Sequence, residues 1–130
     1  MLPFQIQFKA GAPAYEQVVY AVKKAMICGA LKAGDRFPSV RAMSQELRIN
    51  PNTAHKVVAA LVSEGLLEVE LGIGTIVADA RPSTREQRRT LLDEEVEKVV
   101  VEARRLRLGL DDLIEATRAH WKRLSDQEKP

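Results

Sequence analysis

The sequence has few of the residues on which several classes of protein depend. Its single cysteine, Cys28, excludes an internal disulfide and fits a reducing compartment. Aromatic residues make up 5% of the chain, too few for a platform that stacks the bases of single strands. No apolar run reaches the roughly 18–20 residues that a membrane-spanning helix needs. The first residues also lack the pattern of a signal peptide, so we expect a cytoplasmic protein without membrane attachment.

The sequence also lacks the residue clusters that metal sites and most enzymes require. His55 and His120, its two histidines, have no ligand-like spacing to cysteine or carboxylate residues. No nucleophile–base pair is recognisable, and 130 residues leave little room for an enclosed catalytic pocket. We therefore expect no metal, no cofactor and no enzymatic activity, and we interpret Cys28 as a structural thiol.

The charge of the chain is nearly balanced, with 20 basic and 18 acidic side chains and a net charge of +2. The positive excess lies before residue 79, and the remainder is densely and evenly charged. Such mixed charge indicates solvated helix faces. The mild positive charge of the first part is compatible with nucleic-acid binding but does not require it.

Hydrophobic periodicity predicts the elements of the first half. Residues 4–8 alternate apolar and polar side chains, which favours a short strand, and residues 14–29 have helical spacing with Gly29 at the end. Ser39 is well placed to cap a short helix. Asn50 is placed to cap the next one, whose first position is Pro51.

The helix that begins at Pro51 is predicted to reach about Glu64 and to be followed by a hairpin. Its core stripe consists of Ala54, Val57, Val58, Leu61 and Val62. Two β-prone runs within residues 66–78 surround a glycine-containing tip, which is typical of a β-hairpin.

The second half predicts two helices, over about 84–108 and 111–125, with Gly109 ending the first and Asp111 capping the second. The first has an a/d seam at alternating spacings of four and three residues. The apolar positions expected to dimerise are Leu92, Val96, Val99, Ala103, Leu106, Leu113 and Trp121. Two such helices cannot bury this surface alone and would pack against the first domain or against the same segment of a second chain; we expect a homodimer.

The order of elements predicts a mainly α (α+β) fold. Residues 1–80 would form a winged helix-turn-helix domain, and residues 81–130 a two-helix dimerisation segment. In projection, the helix from Pro51 exposes Asn52 and Lys56, flanked by Thr53 and His55. Amide and hydroxyl groups can bond base edges, and the lysine can bind phosphate or guanine. The alternative is an ordinary solvated helix face.

Several motifs in a fixed order resemble the GntR family of bacterial transcription regulators, and in particular its YtrA-like subgroup. They are Pro13-x-Tyr15-Glu16-Gln17, Gly34-Asp35-Arg36-Phe37-Pro38-Ser39-Val40-Arg41, Leu47-x-Ile49-Asn50-Pro51-Asn52-Thr53, Leu61-x-x-Glu64-Gly65-Leu66-Leu67 and Gly72-x-Gly74-Thr75-x-Val77. The resemblance covers roughly residues 12–78.

The resemblance implies a homodimeric repressor of a palindromic operator in double-stranded DNA. It assigns DNA contacts to Arg41 and the start of the recognition helix, with the wing tip in the minor groove. Ser39 and Lys56 are added because of their own position and chemistry. The residues expected to bind DNA are therefore Ser39, Arg41, Asn50, Asn52, Thr53, His55, Lys56, Gly72 and Gly74. Arg41 is expected to touch either phosphate or a guanine edge.

The sequence departs from the family pattern at three places. The wing contains Glu68 and Glu70 but no cation, so we expect a weaker phosphate contact. His55 stands where arginine or serine is more common, and Arg48 replaces a turn glycine, as a phosphate contact or as a turn variant. The acidic wing motivates a rival hypothesis, a protein-interaction module that no longer binds DNA. A small-molecule effector remains open.

Overall fold

A computed structural model describes residues 2–127 of the chain. The chain divides into two compact units, residues 2–80 and residues 81–126. The elements of the first unit are α1 (Ala14–Ile27), α2 (Val40–Leu47), α3 (Pro51–Ser63), β1 (Leu67–Glu70) and β2 (Gly74–Val77). Those of the second unit are α4 (Arg85–Arg89), a π-helical segment (Thr90–Glu95), α5 (Val96–Arg105) and α6 (Leu110–Gln127).

The first unit packs three helices and a hairpin around one apolar core. Its fully buried larger side chains come from every element except β2, and they are Met43, Leu61, Leu67, Val18, Val22 and Val57. No polar or charged side chain is buried within residues 2–127. The core therefore follows from the apolar stripes of the helices, with one correction: Val62 is 37% exposed and does not belong to the stripe of α3.

Local capping fixes where α2 and α3 begin, as the sequence predicts. The Ser39 hydroxyl oxygen accepts a hydrogen bond from the Ala42 amide at 3.0 Å. The Asn50 Oδ1 accepts one from the Asn52 amide at 2.8 Å, and Pro51 occupies the first turn. These side chains satisfy backbone donors that a helix N-terminus leaves unpaired.

The hairpin is confirmed, and a third segment pairs with it. Leu67 lies opposite Val77 in the antiparallel register of β1 and β2. On the other side of β2, the Phe37 amide donates to the Thr75 carbonyl at 2.9 Å, and the Val77 amide donates to the Asp35 carbonyl at 2.8 Å. The connection before α2 is thereby attached to the base of the hairpin.

The strand predicted over residues 4–8 is wrong. This stretch begins in a bend at residues 3–4, belongs to no helix or strand, and has no ladder partner among the described residues. Phe4 is nevertheless buried, and its ring stacks on that of Phe37 with centroids 6.2 Å apart. The alternation of apolar and polar residues therefore reflects the burial of Phe4 and the partial burial of Ile6, and not a strand.

The second unit differs from the prediction at three points. The first helix contains the π-helical segment, so the seam does not follow regular α-helical spacing between Leu92 and Val96. That helix ends at Arg105, followed by Arg107 at a φ of 62°, and not at Gly109. Asp111 does not cap α6. The Asp112 carboxylate accepts the hydrogen bond from the Gly109 amide instead, at 2.8 Å.

None of the helices within residues 2–127 is long and apolar enough to cross a lipid bilayer.

Candidate nucleic-acid interface

The N-terminal turn of α3 presents a polar surface. The side chains of Asn52, His55 and Lys56 are exposed, and that of Thr53 is half-buried. On the opposite side, Ala54 is fully buried against the core. The helix therefore has one face fixed in the domain, and its other face offers amide, imidazole and ammonium groups.

Asn50 caps the N-terminus of α3. Its side-chain oxygen is used in the cap, and its carbonyl accepts the amides of Thr53 and Ala54. Asn50 is exposed, and the amide nitrogen of its side chain can donate two hydrogen bonds. Asn50 can thus hold the helix and reach a ligand at the same time.

Lys56 contacts Tyr15, a residue to which the sequence alone assigns no role at the site. Its Nζ atom lies 4.5 Å from the centroid of the Tyr15 ring, at the start of α1. Such a cation–π contact is worth about 0.5–1 kcal/mol at an exposed site. The spacing of residues gives no sign of it, because Tyr15 and Lys56 lie on different helices.

The start of α2 adds two further groups. Ser39 uses its hydroxyl oxygen in the cap, and its hydroxyl proton stays available for donation. Arg41 is exposed in the first turn and forms no ion pair within residues 2–127. Neither α2 nor α3 has an acidic residue in its first turn, so both helix N-termini remain favourable for an anion.

The turn between α2 and α3 is held by short-range contacts. The Ser44 hydroxyl donates to the Ile49 carbonyl at 2.8 Å. Arg48 ends α2 in the left-handed conformation, with a φ of 54° and its amide bonded to the Ser44 carbonyl. Arg48 therefore occupies the left-handed position of the turn between α2 and α3, a conformation that glycine adopts without strain.

The wing, residues 67–77, ends in an exposed apolar tip. Leu71 is 99% exposed, and the neighbouring Ile73 is 48% exposed. Gly72 and Gly74 have φ angles of 81° and 108°, which residues with a Cβ rarely adopt. The wing has no basic side chain, so a phosphate contact there would come from backbone amides or from the hydroxyl of Thr75.

Most of the apolar positions expected to dimerise are exposed on the described chain. The exposed fractions are 64% for Leu92, 43% for Val96, 54% for Val99, 54% for Leu106 and 75% for Trp121. Leu113 is half-buried. Ala103 is 5% exposed, so it offers almost no surface to a partner.

Residues 2–127 contain no group of three or more histidine, cysteine or carboxylate side chains arranged to hold a metal ion. His55 and His120 belong to different units. Cys28 is half-buried at the end of α1.

The first comparison with known proteins concerns the domain just described. Residues 14–77 match the family model described as bacterial regulatory proteins, gntR family. This span starts with α1 and ends with β2, so it contains the whole helix-turn-helix and the wing.

One curated relative matches most of the chain. The HTH-type transcriptional repressor YtrA of Bacillus subtilis (strain 168) is 31% identical over 112 residues. The match covers 85% of this chain and 86% of the relative, so it includes residues of the C-terminal helices as well.

Two solved structures are similar in different respects. A transcriptional antiterminator from Listeria monocytogenes EGD-e has a TM-score of 0.84 at 21% identity, with 98% of this chain and 93% of that chain covered; it shows the fold alone. The DNA-binding domain of AraR in complex with its operator ORX1 has a TM-score of 0.50 at 29% identity, with 58% of this chain and 92% of that chain covered.

Proposed function

The chain belongs to the GntR family of bacterial regulatory proteins and is a DNA-binding transcription regulator; we propose that it represses transcription by binding a palindromic operator as a homodimer. The observation that carries this proposal is the polar, cation-bearing surface formed by the first turns of α2 and α3. That surface adjoins the N-termini of both helices, whose first turns contain no acidic residue.

Base readout is assigned to the exposed face of α3, placed in the major groove. Asn52 can bond the N6/N7 edge of adenine in bidentate fashion. His55 can donate to N7 or O6 of guanine, and Thr53 can bond either a base edge or a phosphate. Asn50 contributes the free amide nitrogen of its side chain.

Phosphate binding is assigned to the surrounding groups. Arg41 and Ser39 lie together at the start of α2, where the helix dipole favours an anion. Lys56 adds a charge that can leave the Tyr15 ring for a phosphate, since an exposed cation–π contact is weak. These contacts would fix the register of the protein on the duplex.

We propose that the wing contributes less to DNA affinity than α2 and α3 do. Glu68 and Glu70 repel phosphate, and Gly72 and Gly74 leave only backbone amides for a polar contact at the tip. We therefore propose that the ionic part of DNA binding comes from the helices, with Arg41 and Lys56 as its main cations.

Dimerisation is proposed through the exposed apolar positions of the second unit. Leu92, Val99 and Trp121 are all more than half exposed in the single chain, and burial in a two-fold interface removes that surface from water. A dimer presents two recognition helices to two half-sites, which gives a palindromic operator.

The direction of regulation is supported by the relative from B. subtilis, which is named a repressor. We place the activity in the cytoplasm, where a prokaryotic chromosome lies, and we expect the operator to lie beside the gene of the protein itself. Occupation of a promoter site would exclude RNA polymerase.

The test is binding of the full chain to DNA from upstream of its own gene, at two salt concentrations, with an unrelated duplex of the same length. We expect selective binding that weakens steeply with salt, because each phosphate contact releases counterions. Sedimentation of the complex gives the number of chains per operator.

Equal, weak binding to both duplexes would contradict sequence-specific binding to this region and would favour the protein-interaction hypothesis. Selective binding by one chain per duplex would refute the dimer and keep the DNA-binding site. A reporter gene behind the bound region separates repression from activation.

A further inference from the structure

Two side-chain contacts join α1 to α3 at different heights along the helix pair. At the first, the Lys56 ammonium group of α3 lies against the Tyr15 ring of α1. At the second, the Lys23 Nζ atom of α1 lies 2.9 Å from the Oε1 atom of Glu64, which ends α3. In each chain segment the second partner comes eight residues after the first. The two helices therefore run in the same direction, and they begin at the same end of the domain.

The first turn of α1 consequently lies beside the surface that we propose to bind DNA. On the exposed face of α3, Lys56 follows Asn52 by one helical turn. Tyr15 adjoins this face from α1, and its ring also packs against the core. A phosphate group that binds Lys56 would therefore lie close to Tyr15.

The hydroxyl group of Tyr15 is available to such a ligand. It forms no hydrogen bond with another residue in the described part of the chain. Tyr15 is half-buried, yet no half-buried or buried residue within 2–127 has a side-chain oxygen that is both enclosed and unpaired. The hydroxyl therefore reaches solvent. A phenol can donate one hydrogen bond, and tyrosine is among the side chains that bind DNA phosphates.

The Tyr15 hydroxyl and the Lys56 ammonium group can bind the same anion. The ammonium group has three N–H donors, so it can bind a phosphate oxygen while it stays beside the ring. The phenol O–H leaves the edge of that ring and can donate to a second oxygen of the same phosphate. Glu16 does not share this position, because consecutive residues of a helix point about 100° apart.

We propose that Tyr15 contacts DNA directly, with its hydroxyl donating to the backbone phosphate that the Lys56 ammonium group binds. This inference rests on the proposed function, which places Lys56 at the duplex. It gives Tyr15 a role that its ring alone cannot fulfil. Because the backbone phosphate is the same at every base pair, the contact fixes the position of the protein on the duplex and reads no base.

The test separates the hydroxyl group of Tyr15 from its ring. Tyr15→Phe removes the hydroxyl and keeps a ring beside Lys56, whereas Tyr15→Leu removes both. Tyr20→Phe is the matched control, because Tyr20 lies on the same helix and is 65% exposed. Binding of the full chain is measured at several salt concentrations, on the duplex from upstream of its own gene and on an unrelated duplex of the same length. Thermal unfolding first confirms that each variant is folded.

We expect Tyr15→Phe to weaken binding about tenfold for each chain bound, and equally on both duplexes, since hydrogen bonds to charged groups are the stronger ones. Its salt slope should equal that of the wild type, because no cation is lost. Tyr15→Phe/Lys56→Ala should lose less affinity than the product of the two single losses, since both groups hold one phosphate. Duplexes with one neutral methylphosphonate then locate this phosphate, and both single variants should be insensitive to the replacement at the same position.

Wild-type affinity of Tyr15→Phe would overturn the proposal, and weak binding by Tyr15→Leu alone would leave Tyr15 only as a support for Lys56. A loss confined to the upstream duplex would make the hydroxyl a base contact and contradict the phosphate contact. Single losses that multiply in the double variant would contradict a shared phosphate. If the wild type binds both duplexes equally, sequence-specific binding fails, but the ratio of variant to wild-type affinity on either duplex still decides this inference.

Discussion

The Lys56 ammonium lies 4.5 Å from the centroid of the Tyr15 ring, so the first helix of the domain holds the lysine of the recognition helix in place. α1 therefore does more than close the hydrophobic core. Tyr15, in its first turn, positions the ammonium group of Lys56, which is one of the groups proposed to bind phosphate.

Lys56→Ala should weaken binding to every duplex by a similar factor and reduce the slope of log affinity against log salt by about two per dimer. One phosphate contact is lost in each half-site, and no base is read differently. Titrations at several salt concentrations measure this slope. Lys122→Ala on α6 is the matched control, and an unchanged slope for Lys56→Ala would remove this lysine from the interface.

Arg41→Ala should weaken operator binding, because Arg41 is the exposed cation in the first turn of α2. A phosphate contact predicts the same loss on all sequences, whereas a guanine contact predicts a loss of about 1–3 kcal/mol concentrated at one base pair. Binding to a set of single-base operator variants separates the two. Arg118→Ala serves as the control, and unchanged affinity of Arg41→Ala would contradict both alternatives.

Asn50 allows the helix cap to be separated from the DNA contact. Asn50→Ala should lower the free energy of unfolding by about 0.5–2 kcal/mol, because the bond to the Asn52 amide is lost. Asn50→Asp should keep the cap and the stability but lose operator binding, because a carboxylate meets phosphate. Urea unfolding and operator titration measure the two effects. Full operator binding by Asn50→Asp would place Asn50 outside the interface.

Arg48→Gly should stabilise the domain on the order of 0.5–1 kcal/mol. The left-handed backbone at a φ of 54° is strained for arginine, and the relief exceeds the extra flexibility of glycine in the unfolded chain. Arg48→Ala, which keeps the strain, should gain nothing. If Arg48→Gly binds the operator as the wild type does, Arg48 is a turn variant; a lower salt slope would instead make it a phosphate contact.

Val99→Asp should dissociate the proposed dimer, because it puts a charge into an apolar interface. Val101→Asp is the matched control, since Val101 is 61% exposed on the same helix but lies outside the predicted seam. Size-exclusion chromatography with light scattering gives the mass of each variant. A dimeric Val99→Asp would show that other residues form the contact.

The parts of the fold that short-range chemistry determines were predictable from the sequence. The Ser39 and Asn50 caps, Pro51 in the first turn and the hairpin all follow from neighbouring residues, and the structure confirms them. Which residues of the site bind DNA stays a prediction.

The sequence-based predictions failed where residues distant in the chain determine the local structure. Residues 4–8 have a strand pattern, but no residue within 2–127 pairs with them. The Tyr15 ring meets Lys56 across two helices, and no spacing rule connects them. The π-helical segment at residues 90–95 has no distinct sequence signature, because its composition is that of an ordinary charged helix.

The attachment of the wing to the chain before α2 has a mechanical consequence. The bonds from Phe37 to Thr75 and from Val77 to Asp35 brace the stem of the hairpin. The tip around Gly72 lies beyond these bonds, and the stem connects it to the segment that leads into Ser39. We therefore expect a displacement of the wing to be passed on to the start of α2, so that the proposed DNA contacts at these two places would be coupled.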